Sequence, residues 1–120
     1  MKMIKVARPF IGEEEIEAVK AVLLSGNYVS GARVAEFEAS FAQYNGVSYG
    51  AAVNSGTAAL HVALAVLGIG PGDEVIVPPM TFFSTVTAVL HQNAVPVFAD
   101  ISADSYCIDP GHIEKHITPR

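Results

Sequence analysis

After Gly46 the sequence changes its period, and that change limits the fold more than any other feature. Three units follow in which a short apolar run precedes a helical one: "YGAAV" then "GTAALHVALAVLG", "EVIV" then "TFFSTVTAVLHQ", and "VPVFA" then "DPGHIEKHI". Short strands alternating with helices call for crossover connections, and these build a mainly parallel sheet with helices on its faces. The fold class read from the pattern is therefore α/β. Gly70-Pro71-Gly72-Asp73 and Val77-Pro78-Pro79 serve as tight connections within it.

Ahead of Gly46 the period is helical. "EEEIEAVKAVLLSGN", from Glu13, has acidic residues in its first turn, Ile16, Val19, Val22 and Leu23 on one face, and Gly26-Asn27 as a stop. That face is expected to pack. "ARVAEFEASFAQYNG" repeats the theme with Val34, Phe37, Phe41 and Tyr44. The chain thus divides into a helical segment, residues 1–46, and the first part of a larger α/β domain, residues 47–120. The alternation stops at "HITPR", where a further strand is due, and an apolar open sheet edge is a pairing hazard. The expectation is the amino-terminal part of a longer protein.

Composition narrows the partners. Of 120 residues 51% are hydrophobic and 16% charged, enough apolar material for a core. The longest apolar run falls well short of the roughly 18 residues of a membrane span, so no transmembrane helix is expected. Seven Lys and Arg against twelve Asp and Glu give a net charge of −5 with no basic cluster. This argues against a nucleic acid or anionic membrane partner. Cys107 is the only cysteine, which excludes an internal disulfide. The opening "MKMIKVARPF" lacks the apolar core of a secretory leader, and a cytoplasmic setting is expected.

Two loops could carry chemistry. Asn54-Ser55-Gly56-Thr57 stands between an apolar run and a helical one, which directs the free N–H groups of a first helical turn outward as an anion site. Gly56 permits close approach of a ligand, and the Ser55 and Thr57 hydroxyls can donate to phosphate oxygens. Spacing alone equally allows a plain N-cap at Ser55 with Gly56 making the turn. "VPPMTFFSTVTAV" is the matching loop after the next strand. An aromatic residue there could lie on a ring-shaped ligand, although a core role for Phe82 and Phe83 is the commoner one. Adjacent residues on a helix diverge, so one of the two at most is expected to face a ligand.

Other patterns are set aside. "GIGPGDE" precedes a strand instead of following one and reads as a turn, not a dinucleotide fingerprint. "HIEKH" has Ile113 where a metalloprotease helix needs Glu, so His112 and His116 read as a surface face, and no metal site is expected. His61 and His91 stand alone in helical runs and read as packing or cap residues.

Taken together, "SGNYVSGARVAEFEASFAQYNGV", "AVNSGTAALHVALAVLGIGPGDEVIVPPMTFFSTVTAVL" and "AVPVFADISADSYCIDPGHIEKHITPR" resemble, in order and spacing, the opening of a DegT/DnrJ/StrS-type sugar aminotransferase. The SGTAAL loop, the GxGPGDEVIVP turn and strand, the TF helix start and the PVFADI strand occur together. The resemblance implies a pyridoxal 5'-phosphate enzyme of fold type I, working as a homodimer with its active sites at the subunit interface. Such enzymes move an amino group from glutamate or glutamine to a keto group, commonly that of a nucleotide-linked keto-sugar or a cyclitol, in polysaccharide and amino-sugar biosynthesis. By position, Gly56 and Thr57 would hold the cofactor phosphate, Phe82 would stack on its pyridine ring, and Ser55 and Asn54 would flank the pocket. Tyr28, Ser30 and Gly31 would occupy a loop near the substrate.

The resemblance also implies what this segment lacks. The Schiff-base lysine and the aspartate partner of the pyridine nitrogen come further downstream in the family. Lys2, Lys5, Lys20 and Lys115 match no such position, and Asp100 reads as a turn cap leading into "ISADSY". No catalytic residue is expected among the 120, and the segment alone is expected to be inactive. Some family members carry histidine for the lysine and are sugar dehydratases, so the parent's reaction stays open between the two. A reading from a different class is a small nucleotide-phosphate-binding α/β module, which would want more glycines after the first strand.

Overall fold

A computed structural model describes Ile4 and residues 6–120; Lys2 and Lys5 lie outside the described residues. The chain forms two compact units, residues 1–51 and 52–120.

The first unit holds α1 (Glu13–Ser25) and α2 (Ala32–Asn45). Glu13, Glu14 and Glu15 set negative charge against the N-terminal end of the α1 dipole, and the Glu15 carboxylate accepts the Gly12 N–H at 2.6 Å. Gly26 stops the helix in the left-handed region, φ 75°, which a side chain would strain. Gly46 does the same for α2 at φ 67°, and the Val47 N–H reaches back to the Ala42 carbonyl at 3.0 Å. Two exposed ion pairs, Lys20–Glu17 and Arg33–Glu36, add little in open solvent.

Burial in this unit departs from the expectation that the α1 face packs. Ile16, Val19 and Leu23 are exposed, as are Phe37 and Phe41, whose rings meet at 5.6 Å; only Ala42 is buried among the described residues of the two helices. Helical period shows which face favours burial but carries no information about what covers it.

The second unit's first helix is α3 (Gly56–Val66), capped by Leu67 and followed by Gly68 at φ 79°, with the Ile69 N–H on the Leu64 carbonyl at 3.1 Å. Gly70-Pro71-Gly72-Asp73 closes a turn in which the Asp73 carboxylate accepts the Gly70 N–H at 2.8 Å. Then come β1 (Glu74–Val77), α4 (Ser84–His91) and β2 (Val95–Phe98). The two strands pair in parallel, Glu74 opposite Val95 through Val77 opposite Phe98, so α4 is the crossover that parallel pairing requires. The core lies where α4 packs on the strands: Val77, Val89 and Ala94 are buried, with Leu64, Ile69, Val75 and Val86 against them. α3 packs along α4, where the Gln92 amide donates to the His61 carbonyl at 3.2 Å.

Among the described residues the sheet has two strands where the sequence suggests three. Residues 49–53, "YGAAV", form no strand, and Tyr49 and Val53 are exposed. A strand exists only with a ladder partner, and among the described residues β1 and β2 are the strands that pair. The α/β class and the parallel pairing stand.

Beyond β2, Asp100 acts as a turn cap. Its carboxylate accepts the Ile101 N–H at 2.8 Å, and its carbonyl accepts the Asp109 N–H at 2.9 Å, closing a loop that Ile101 and Ile108 bridge. Asp109 caps the short α5 (Pro110–Lys115) through the Gly111 N–H, with Pro110 at the first helical position.

Candidate cofactor site

α3 starts at the residues singled out in the sequence. Ser55 is its N-cap in extended conformation, and the Ser55 Oγ accepts the Ala58 N–H at 3.1 Å. The Ser55 carbonyl takes the Ala59 N–H at 3.0 Å. Gly56 and Thr57 are the first two helical residues, and a helix start offers their N–H groups no acceptor within the helix. The Ser55 hydroxyl donates to Asn54 Oδ1 at 3.4 Å while its lone pair serves the cap. The plain N-cap and the anion cradle are thus compatible, because the cap uses the Ser55 lone pair and the cradle the Gly56 and Thr57 N–H groups.

Gly56 needs no positive φ, and a Cβ built on it would meet nothing within 4 Å. Neither backbone conformation nor packing inside this chain calls for glycine there. What the missing side chain provides is an open approach to two N–H groups, which is what a phosphate needs. Thr57 is half-buried. The residues present fit a phosphate handle held without a basic side chain, in keeping with the absence of any Lys or Arg between Arg33 and Lys115.

Phe82 lies on the loop that leaves the carboxyl end of β1, one residue ahead of Phe83, the N-cap of α4. The Phe82 carbonyl accepts the Thr85 N–H at 3.0 Å and so opens the helix. Phe82 is 80% exposed and Phe83 73% exposed, so neither serves the core of this chain. The hydroxyls of Thr81 and Thr85, 2.8 Å apart, brace the same turn. They were not singled out in the sequence, although their spacing of four, the reach of one helical turn, was there to be read.

Tyr28, Ser30 and Gly31 belong to the first unit. They line a cleft of about 430 Å³ with Ala21, Val22 and Arg33. The Tyr28 hydroxyl donates to the Leu23 carbonyl at 3.1 Å, which ties this loop to the end of α1, and Gly31 is the N-cap of α2.

The sequence model of the DegT/DnrJ/EryC1/StrS aminotransferase family matches residues 9–120. The chain belongs to this family. Among its relatives, the spore coat polysaccharide biosynthesis protein SpsC of Bacillus subtilis is 50% identical over 112 residues, 93% of this chain and 29% of that protein. Spr1654 of Streptococcus pneumoniae, named as a sugar aminotransferase and solved in PLP, PMP and apo forms, superposes with a TM-score of 0.91 at 40% identity. The superposition covers 96% of this chain and 29% of that one. NtdA of Bacillus subtilis, solved with bound PMP, gives a TM-score of 0.84 at 40% identity over 91% of this chain and 26% of its own. This member of the family therefore spans less than a third of the length of the relatives it matches. Its helices and small parallel sheet follow the corresponding part of the aminotransferase fold. No described helix is long and apolar enough to cross a membrane.

Proposed function

We propose that this chain forms the amino-terminal, phosphate-holding part of a pyridoxal-phosphate-dependent aminotransferase acting on a keto-sugar. The carrying observation is the start of α3, where Ser55 closes the cap with one lone pair and leaves the Gly56 and Thr57 N–H groups open at a glycine that packing does not require. When bound, the cofactor supplies the electron sink through which an amino group passes from a donor to a keto acceptor. The chain's own residues bind and orient. Gly56 and Thr57 donate to the phosphate at the positive end of the helix dipole, Ser55 holds that end in shape, and Phe82 offers an exposed aromatic face for the ring.

The proposal extends to glutamate or glutamine as donor and a nucleotide-linked keto-sugar or cyclitol as acceptor. It includes a homodimeric parent working in the cytoplasm, with Tyr28, Ser30 and Gly31 on the substrate side. SpsC, by its name, acts in polysaccharide biosynthesis, which supports the sugar reading. With no lysine between Lys20 and Lys115, the loops around α3 and α4 hold the cofactor only by its phosphate and ring.

The test is a titration of the chain with pyridoxal phosphate, inorganic phosphate and a nucleoside diphosphate. Pyridoxal phosphate is expected to bind best, to compete with inorganic phosphate, and to leave the chain without transaminase turnover. Preference for the nucleotide would replace this reading with the nucleotide-binding module. Turnover by the chain alone would overturn its division of labour.

A further inference from the structure

We propose that His61 and His91 form a two-histidine site for a transition-metal ion, such as Zn²⁺ or Ni²⁺, that clamps α3 to α4. The two imidazoles, 30 residues apart in sequence, come from different helices and stand with ring centres 5.3 Å apart and planes at 36°. Imidazole nitrogens bind a tetrahedral Zn²⁺ at about 2.1 Å, which places two ligating ring centres roughly 5 Å apart. The observed spacing of 5.3 Å matches the one a shared ion would set.

Three further features favour a cation at this place. The Gln92 side-chain amide donates to the His61 carbonyl at 3.2 Å, so the residue next to His91 already ties the end of α4 to α3 at His61. His91 occupies the last turn of α4, where the helix dipole presents its negative end. No Lys or Arg occurs between Arg33 and Lys115, so no nearby basic residue on α3 or α4 opposes the charge. His61 is half-buried and His91 exposed, which leaves the ion reachable from solvent and its remaining positions open to water. No third His, Cys, Asp or Glu gathers with them among the described residues, so the site is an accessory clamp and not a closed structural centre.

The other histidine pair is the natural control. His112 and His116 lie four apart, but His116 falls beyond the end of the six-residue α5 and its Nδ1 is engaged with the His112 carbonyl at 2.7 Å. Imidazole suits Zn²⁺ and Ni²⁺ and discriminates against Mg²⁺.

The experiment is a Zn²⁺ titration of the histidine-labelled chain followed by the ring carbon and proton NMR signals, with Mg²⁺ in parallel. The His61 and His91 signals are expected to move together and saturate at one equivalent of Zn²⁺, while His112 and His116 stay and Mg²⁺ does nothing. His91→Gln, at an exposed position, is expected to abolish the saturable movement of His61 and weaken Zn²⁺ binding roughly tenfold or more. No saturable response at the pair, a response that survives His91→Gln, or equal responses at all four histidines would each overturn the proposal. The readout contains no pyridoxal phosphate, so it is independent of the aminotransferase reading.

Discussion

Ser55 caps α3 by accepting the Ala58 N–H at 3.1 Å, and the same hydroxyl borders the two N–H groups assigned to phosphate. Substitution separates the two roles. Ser55→Ala removes the cap acceptor and is expected to cost about 1 kcal/mol of stability. Ser55→Asp restores a capping oxygen and favours the helix dipole, yet places a negative charge at the anion site. Denaturant unfolding should therefore rank Asp with Ser and above Ala, while pyridoxal phosphate binding should rank Asp last. Binding by Ser55→Asp as tight as by the parent chain would remove the phosphate from this helix end.

Gly56 offers the opposite dissociation. Its φ lies outside the left-handed region, and a Cβ would find open space within the chain. Gly56→Ala is thus expected to leave stability unchanged or raise it by up to about 1 kcal/mol, since alanine loses less backbone entropy on folding. The methyl group would stand at the mouth of the cradle, and affinity for pyridoxal phosphate is expected to fall at least about tenfold, roughly 1.4 kcal/mol. Equilibrium unfolding and a binding titration of one preparation check both halves.

What the sequence made legible follows from which signals are local. Gly26 and Gly46 end their helices and Ser55 caps α3 because capping is settled within a few residues. The strands Glu74–Val77 and Val95–Phe98 were visible as short apolar runs between turns. Residues 49–53 carry the same local signal but form no strand, because pairing is decided by a neighbour that sequence period does not specify. The His61–His91 contact was invisible for the same reason: each histidine is unremarkable on its own helix, and only the packing of α3 on α4 brings the rings to 5.3 Å. The cradle at Gly56 was legible as a pattern, and geometry added that Ser55 caps the helix with its lone pair while its proton goes to Asn54.

Phe82 and Val89 test whether an exposed and a buried apolar residue answer to different demands. Phe82 is 80% exposed, so Phe82→Ala is expected to change stability by less than about 0.5 kcal/mol. Val89 is 1% exposed at the centre of the core, and Val89→Ala is expected to cost about 2 kcal/mol through lost burial and the cavity left behind. Pyridoxal phosphate binding should show the reverse order, with Phe82→Ala the weaker binder once both variants are measured well below their melting temperatures. Equal binding by Phe82→Ala and the parent chain would remove the ring-stacking role.

Gly50 carries the last prediction, and here the glycine is set by the fold. A Cβ at this position would stand 2.9 Å from the Glu38 carbonyl oxygen, closer than a carbon and an oxygen tolerate. The obstacle is the backbone of α2, which cannot swing aside as a flexible side chain would. Gly50→Ala must therefore displace either the 47–50 segment or the second half of α2. A cost of roughly 1–3 kcal/mol is expected, in the range of overpacking substitutions. Hydrogen exchange locates it: amides around Glu38 to Ala42 should lose protection in Gly50→Ala, whereas those of β1 and β2 should keep theirs. Because Gly56→Ala is expected to be neutral or stabilising, the two substitutions form a matched pair with the same added methyl group. Equal stability of the two variants would refute the distinction between a glycine required by packing and one kept open for a ligand.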